Sequence, residues 1–308
     1  MKKILVTGAN GQLGRELKDL VSRNGFREDE SGWFVSFDED ASFLFADREV
    51  LPLDDQKKID EFFAARQPQW CINCAAYTAV DKAENDKENA FRINGDAPGW
   101  IANACRNAGA RLIHISTDYV FPGNSATPLK ENDTTGPINV YGASKLEGEH
   151  RALEQYPDGT LIIRTAWVYS EYGNNFVKTM LRLMREKPSL NIVDDQIGSP
   201  TYAADLAAAI LHIVDANRFI PGIYHYSNEG RISWYQFALA IRDRIDSSCT
   251  INPIPTSGFP TPATRPAFSL LDKTLIRHTY GLTIPDWQAS LDICLFRLLS
   301  NNALSATK

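Results

Sequence analysis

An α/β architecture, with a doubly wound parallel sheet followed by a smaller lobe, is what this 308-residue sequence predicts. Three observations carry the prediction. Strand-like and helix-like segments alternate up to about residue 165, the pattern of a parallel sheet covered on both faces. At the start of that alternation a buried-looking strand, Lys2–Thr7, runs into Gly8-Ala9-Asn10-Gly11-Gln12-Leu13-Gly14 and then into apolar residues at helical spacing. Strand, glycine turn and helix form a phosphate-binding entry. Glycines permit a tight turn and close backbone approach, and the helix start offers unpaired N–H groups to a pyrophosphate. The spacing is G-x-x-G-x-x-G, so the reading rests on the flanking strand and helix rather than on the glycines alone. Beyond residue 165 the alternation fades and Pro, Gly and Thr multiply, which marks the second lobe.

Taken in order, the strands are expected at Lys3–Thr7, Phe43–Ala46, Trp70–Cys74, Arg111–Ser116 and Leu161–Thr165. Helices are expected at Gln12–Arg23, Gln56–Arg66, Ala83–Ala108 and Val140–Gln155, with Asp54 or Asp55 as the N-cap of the second. Residues 26–42 are too long for an ordinary αβ loop and read as a surface hairpin or an extra strand. In the second lobe, helices are expected at Trp234–Asp246 and Trp287–Leu299. The stretch Ile254–Arg265 carries Pro255, Pro260 and Pro262, with Pro266 just beyond, and such stiffened loops build binding walls. The division is residues 1–168 for a dinucleotide-binding, Rossmann-type domain, with later returns of the chain to the sheet, and 169–308 mainly for a substrate-binding lobe.

Composition narrows the class. Hydrophobic content of 44% and charged content of 23% are ordinary for a globular chain, and a net charge of −6 argues against a nucleic-acid partner. No apolar run has the length of a membrane span. The chain goes straight into the glycine turn, with no secretory signal ahead of it, and its five cysteines are odd in number and scattered. A cytoplasmic location is expected. Cys71-Ile72-Asn73-Cys74 has the form C-x-x-C, but it lacks a second pair and reads as small buried residues of a strand.

The chemistry-bearing residues lie downstream. The strand Arg111–Ser116 ends in Thr117-Asp118, and ligands of open α/β sheets bind beyond the carboxyl ends of strands. A Ser-Thr-Asp cluster is equally at home in a turn held by side-chain-to-backbone bonds. Tyr141 and Lys145 stand at i and i+4 on a helix, where an ammonium beside the phenol would bring its pKa of about 10 toward neutrality for proton transfer.

Together the glycine turn, Asn73-Cys74-Ala75-Ala76, Ser116-Thr117 and Tyr141-x-x-x-Lys145 resemble the extended short-chain dehydrogenases/reductases. More narrowly, the chain resembles the dTDP-4-dehydrorhamnose reductase family. That match rests on Ala79–Glu84, Ser116–Gly123, Asn139–Gly142, Arg164–Tyr169, Asn174–Met180, Asp195–Thr201 and Pro260–Pro266. It runs over nearly the whole chain, with 26–42 the main unmatched part. The resemblance implies reduction of the C4 ketone of dTDP-4-dehydro-β-L-rhamnose to dTDP-β-L-rhamnose, with Tyr141, Lys145 and Thr117 as catalytic residues. It implies cofactor contacts from Gly8, Asn10, Gly11, Gln12, Leu13, Gly14, Asp47, Arg48, Leu53, Ala75, Ala76 and Tyr77 as well as Tyr141 and Lys145. The substrate side falls to Thr117, Asp118, Trp167, Asn174, Asn175 and Arg265. Related 4,6-dehydratases carry Asp-Glu after the threonine, whereas Asp118-Tyr119 follows here, which argues for plain reduction.

NADPH or NADH is the expected cofactor. Asp47, with Asp38 as its rival, would bind the ribose 2′-hydroxyl, while Arg48 would pair with a 2′-phosphate, so use of both is expected. Magnesium enters through the resemblance only, since no carboxylate cluster calls for a metal. The expected partner is a nucleotide sugar, and a homodimer is compatible with the resemblance. Two other readings stand beside the reductase. One is a non-catalytic, NADP-binding regulatory subunit resembling the β subunit of animal methionine adenosyltransferase. The other is a reductase or epimerase of another nucleotide 4-keto sugar.

Overall fold

The computed structural model describes residues 2–22, 41–216 and 218–305. Residues 26–40 of the unmatched segment, Asp38 among them, lie outside the described residues.

Strand β1 (Lys2–Thr7) leads through the glycine turn into α1 (Gln12–Ser22), and β2 (Ala41–Ala46) is followed by α2 (Gln56–Arg66). Asp55 is the cap of α2, its carboxylate accepting the amides of Lys57 and Lys58. After β3 (Trp70–Asn73) come the short α3 (Val80–Ala83) and α4 (Lys87–Phe91), a π-turn over Arg92–Asp96, and α5 (Ala97–Ala108). The continuous helix expected from 83 to 108 is therefore interrupted. Pro98 has no N–H for the Asn94 carbonyl, and the widened turn accommodates the loss. Strand β4 (Arg111–Thr117), α6 (Val140–Gln155) and β5 (Thr160–Thr165) complete the regular alternation.

The second half holds β6 (Val168–Tyr169), α7 (Phe176–Glu186), β7 (Ser189–Val193), β8 (Ile197–Gly198), β9 (Thr201–Tyr202) and α8 (Ala203–Asp215). Then follow β10 (Gly222–His225), β11 (Ile232–Ser233), α9 (Trp234–Arg244), β12 (Thr250–Ile254), α10 (Thr274–Tyr280) and α11 (Trp287–Ser305). Six strands form the main sheet in the order β10-β5-β4-β3-β1-β2, every pair parallel. The chain thus returns to the sheet with β10, and α8 packs along α1. Among the described residues no helix is long and apolar enough to cross a membrane.

Strand alternation sorts the core into two layers. Ile4, Val6, Ile72, Ile113, Leu161 and Ile163 point to the side covered by α1 and α8. Leu5, Cys71 and Leu112 point to the side where Ile59, Phe63, Ile101, Cys105 and Ala152 pack. A third cluster, built on Tyr169, Val177, Tyr202, Phe237 and Leu291, forms the core of the C-terminal lobe. Because β1 pairs with β2 on one side and β3 on the other, the topology reverses at β1, and its carboxyl end opens on a crevice.

Candidate active site

The glycine turn lies at that crevice, and two of its glycines are required by geometry. Gly8 has φ +67, and a Cβ there would stand 2.7 Å from the Ala75 amide nitrogen. A Cβ on Gly14 would stand 2.4 Å from the Gly8 carbonyl oxygen. The first bond of α1 runs from the Arg15 amide to the Gly11 carbonyl, so the amides of Gln12, Leu13 and Gly14 have no acceptor within the helix. These features fit a pyrophosphate. Asn10 Nδ2 donates to Asp47 Oδ2 at 3.0 Å, while Asp47 Oδ1 accepts the amides of Glu49 and Val50. Those bonds, the Val50 amide foremost, hold the Asp47 carboxyl below its usual range. Arg48 stands exposed next to it. The side chains of Leu13 and Leu53 are buried in the two core layers, so either residue would meet a ligand through its backbone.

Ala75, Ala76 and Tyr77 form the loop leaving β3. The Tyr77 amide donates to Asn94 Oδ1 at 2.8 Å, and Asn94 Nδ2 donates back to the Tyr77 carbonyl and to Ser144 Oγ of α6. Asn94 sits in the π-turn, and Gly148 packs so close that a Cβ would lie 2.0 Å from the Asn94 carbonyl. Sequence reading missed Asn94, whose role depends on a local helix distortion.

Tyr141 and Lys145 share one face of α6, which starts at the Asn139 cap. Lys145 is almost fully buried, and its ammonium donates to the Ile115 carbonyl at 2.6 Å with His114 Nε2 at 3.5 Å. Burial brings the ammonium down to about 8 against the opposing pull of Glu149. The phenol of Tyr141 departs from expectation. Burial pushes it up to about 12, with the Thr117 hydroxyl pulling the other way and Asp118 adding to the rise. Lys145 is turned onto the strand β4 backbone and does not bring the phenol toward neutrality. Thr117 Oγ1 donates to Asp118 Oδ1 at 3.0 Å, and Asp118, buried, is pushed up to about 6 by that burial. The Tyr119 ring stands edge-on to Tyr141 at 5.7 Å.

One turn past Lys145, Glu149 is buried in a bidentate pair with Arg164 of β5, at 2.9 Å and 2.6 Å, and accepts the Ser116 hydroxyl at 2.5 Å. Sequence reading missed this residue, although the i, i+4 spacing from Lys145 was there to extend.

Just past β5, Trp167 has φ +49, rare for a bulky side chain, and stacks on Trp234 at 3.6 Å between ring centres with 12° between planes. Asn174 is exposed. Asn175 caps α7 and donates to Gln12 Oε1 at 2.8 Å and to the Ser170 carbonyl, which ties it to the glycine turn rather than to the far end of the crevice. Arg265, expected free for a diphosphate, instead has both arms of its guanidinium on Asp81, at 2.5 Å and 2.7 Å. Among the described residues no group of three or more His, Cys, Asp or Glu side chains is placed to hold a metal ion.

The model of the RmlD substrate binding domain family matches residues 1–300. A dTDP-4-dehydrorhamnose reductase of Aggregatibacter actinomycetemcomitans is 38% identical over 301 residues, covering 94% of this chain and 97% of the relative. A crystal structure of a dTDP-4-dehydrorhamnose reductase from Clostridium acetobutylicum superimposes with a TM-score of 0.88 at 37% identity, over 96% of this chain and 99% of that one. The Bacillus anthracis dTDP-4-dehydrorhamnose reductase, solved in complex with NADP, superimposes with a TM-score of 0.87 at 36% identity, over 96% of this chain and all 100% of that one.

Proposed function

The chain belongs to the RmlD substrate binding domain family, and from that premise we propose that it is an NAD(P)H-dependent dTDP-4-dehydrorhamnose reductase. The observation that carries the reading is the convergence of Thr117, Tyr141 and Lys145 at the carboxyl end of β4, beside the glycine cradle at Gly8 and Gly14.

NADPH or NADH held at that cradle supplies a hydride to the sugar's C4. The Gln12, Leu13 and Gly14 amides hold the pyrophosphate, and the Lys145 ammonium holds the nicotinamide ribose. Arg48 takes a 2′-phosphate when one is present. Asp47 takes a 2′-hydroxyl only by sharing the oxygen it already gives to Asn10. Tyr141, a neutral phenol across the physiological range, gives its proton to the C4 oxygen as the ketone becomes an alcohol. Thr117 redirects its hydroxyl from Asp118 toward the same oxygen, where negative charge develops. Trp167 forms the sugar wall. Arg265, anchored on Asp81, offers its remaining N–H groups to the nucleotide end, with Asn174 exposed nearer the glycine turn. Residues 1–168 act as the cofactor domain, joined by α8 and β10, and the rest of 169–308 as the substrate lobe. A cytoplasmic location follows from this biosynthetic role, and the oligomeric form is a homodimer in this reading.

The test is Tyr141→Phe, assayed by loss of NADPH absorbance with a panel of nucleotide 4-keto sugars. The variant loses on the order of 10²-fold or more in kcat with NADPH affinity little changed. Near-normal turnover in a folded variant, or no turnover of a dTDP-4-keto sugar by the parent protein, overturns the proposal.

A further inference from the structure

The roles given to Tyr141 and Lys145 leave a buried titratable group beside them unused. His114 of β4 lies directly beneath Lys145, and its ring belongs to a line of polar side chains that crosses the sheet. Thr7, Asn73 and His114 are register partners on the adjacent strands β1, β3 and β4. They continue the rows Leu5, Cys71 and Leu112 on the face that carries α5 and α6. Each is at most 1% exposed. Thr7 Oγ1 lies 2.6 Å from Asn73 Oδ1, Asn73 Nδ2 lies 3.0 Å from His114 Nδ1, and His114 Nε2 lies 3.5 Å from Lys145 Nζ. An apolar row here would pack as well as the rows behind it. Three polar groups in one buried line are retained at a cost in desolvation unless all are paired.

We infer that His114 is a positioning residue for Lys145, the end of a hydrogen-bonded ladder that fixes where the lysine ammonium points. The inference rests on the role given to Lys145 above. An ammonium only donates, so the imidazole nitrogen facing it must be bare. The ring proton then sits on Nδ1 and goes to the amide oxygen of Asn73, whose NH2 turns to Thr7 Oγ1. The amide's two ends are alike in shape, so this costs a half-turn and no movement. The opposite polarity, with Nε2 protonated, matches a neutral Lys145 amine. The ladder therefore has one consistent direction for each state of the lysine. His114 itself stays neutral, because burial first and the neighbouring ammonium second hold it well below its ordinary range.

The groups facing Lys145 are few. From β4 come His114 and the Ile115 carbonyl, and from the loop after β3 comes Cys74, a neutral thiol that burial pushes up. From α6 itself come Glu149, which favours the charged form, and Tyr141 one turn earlier. Glu149 supplies charge and His114 supplies direction, together with an acceptor for the second ammonium proton. Its removal takes an acceptor from the charged form and so lowers the lysine further.

The experiment compares His114→Asn, which reaches Asn73 but not the lysine, with His114→Gln, which presents an acceptor near the original Nε2. NADPH affinity is measured by fluorescence without substrate from pH 6 to 9, together with the basic limb of kcat/KM. The lysine stands near 8, so a further fall costs it charge at pH 8 and scarcely any at pH 6. His114→Asn therefore weakens NADPH binding several-fold at pH 8 and scarcely at pH 6, while His114→Gln stays close to the parent. Equal behaviour of the two variants, or a loss in His114→Asn that is the same at pH 6 and pH 8, overturns the inference and leaves the ladder purely structural. Lys145→Met separates this failure from failure of the underlying assignment. If that variant keeps both NADPH affinity and turnover, the role of Lys145 falls and the ladder's role with it.

Discussion

Replacing Glu149 by Gln tests whether the α6–β5 junction is held by charge. The Arg164 guanidinium is 3% exposed and the Glu149 carboxylate 1% exposed, with two close contacts between them and the Ser116 hydroxyl on the same carboxylate. Gln keeps the shape and one acceptor, but its NH2 group faces the guanidinium N–H groups, donor against donor. The buried cation retains the Glu131 carbonyl and the Phe121 ring at 5.0 Å, which are weak substitutes. Breaking a buried pair from one side costs about 3–5 kcal/mol. A chain of 308 residues has an unfolding entropy near 0.65 kcal/mol per degree, from about 2.1 cal/mol per degree per residue. The Tm of Glu149→Gln therefore falls by about 5–8 °C. Removing both charges in Glu149→Leu with Arg164→Met returns most of that loss, because two desolvated charges are exchanged for packed apolar groups. Thermal and urea unfolding of the parent, the single variants and the double variant close the cycle. A Glu149→Gln Tm within 2 °C of the parent (roughly 1 kcal/mol on that scale), or a double variant as damaged as the sum of the singles, refutes the reasoning.

Two further outcomes follow from features of the crevice and its border. Gly8→Ala places a methyl group 2.7 Å from the Ala75 amide at a positive φ, so NADPH affinity falls by more than about tenfold and stability by about 1–3 kcal/mol; equilibrium fluorescence titration and urea unfolding measure both, and parent-like binding contradicts the cradle. Glu16 of α1 is buried against Ser170 and Glu171, and burial foremost holds its carboxyl far above the usual range. The folded state thus keeps a proton that the unfolded chain releases above about pH 4.5. Stability falls as pH rises from there to the folded-state value, and Glu16→Gln escapes the loss. Its Tm advantage over the parent grows between pH 5 and 9, and a constant difference contradicts the assignment.

The parts of the site that could be read in the sequence are those whose partners are near in the chain. The glycine turn announces itself because Gly8, Gly11 and Gly14 occupy one turn, and Tyr141 with Lys145 because a helix brings i and i+4 together. The strands were legible because buried parallel strands are short apolar runs. What escaped depends on distant contacts. Arg265 looks free until Asp81, 184 positions away, is seen to hold it. Asn175 looks like a substrate contact until Gln12, 163 positions away, is placed beside it. His114 in Arg111–Ser116 reads as one more strand residue, and only the register of three strands aligns it with Thr7 and Asn73. The Tyr141 phenol escaped for a different reason. Spacing predicts proximity to Lys145, but it says nothing about desolvation, which governs the proton affinity here.

The stacked indoles carry a consequence of an optical kind. Trp167 follows the last strand before the C-terminal lobe, and Trp234 opens a helix inside that lobe, yet their rings lie 3.6 Å apart and within 12° of parallel. Chromophores so close couple their excited states, producing a paired band in the near-ultraviolet circular dichroism and a quenched, shifted emission. Gly198 is so tightly placed against Trp167 that a side chain there would meet the ring at 2.9 Å, so the pair has little room to slide without parting. A ligand entering beside Trp167 is therefore written in the protein's own absorption and emission, and its binding can be followed without attaching a dye.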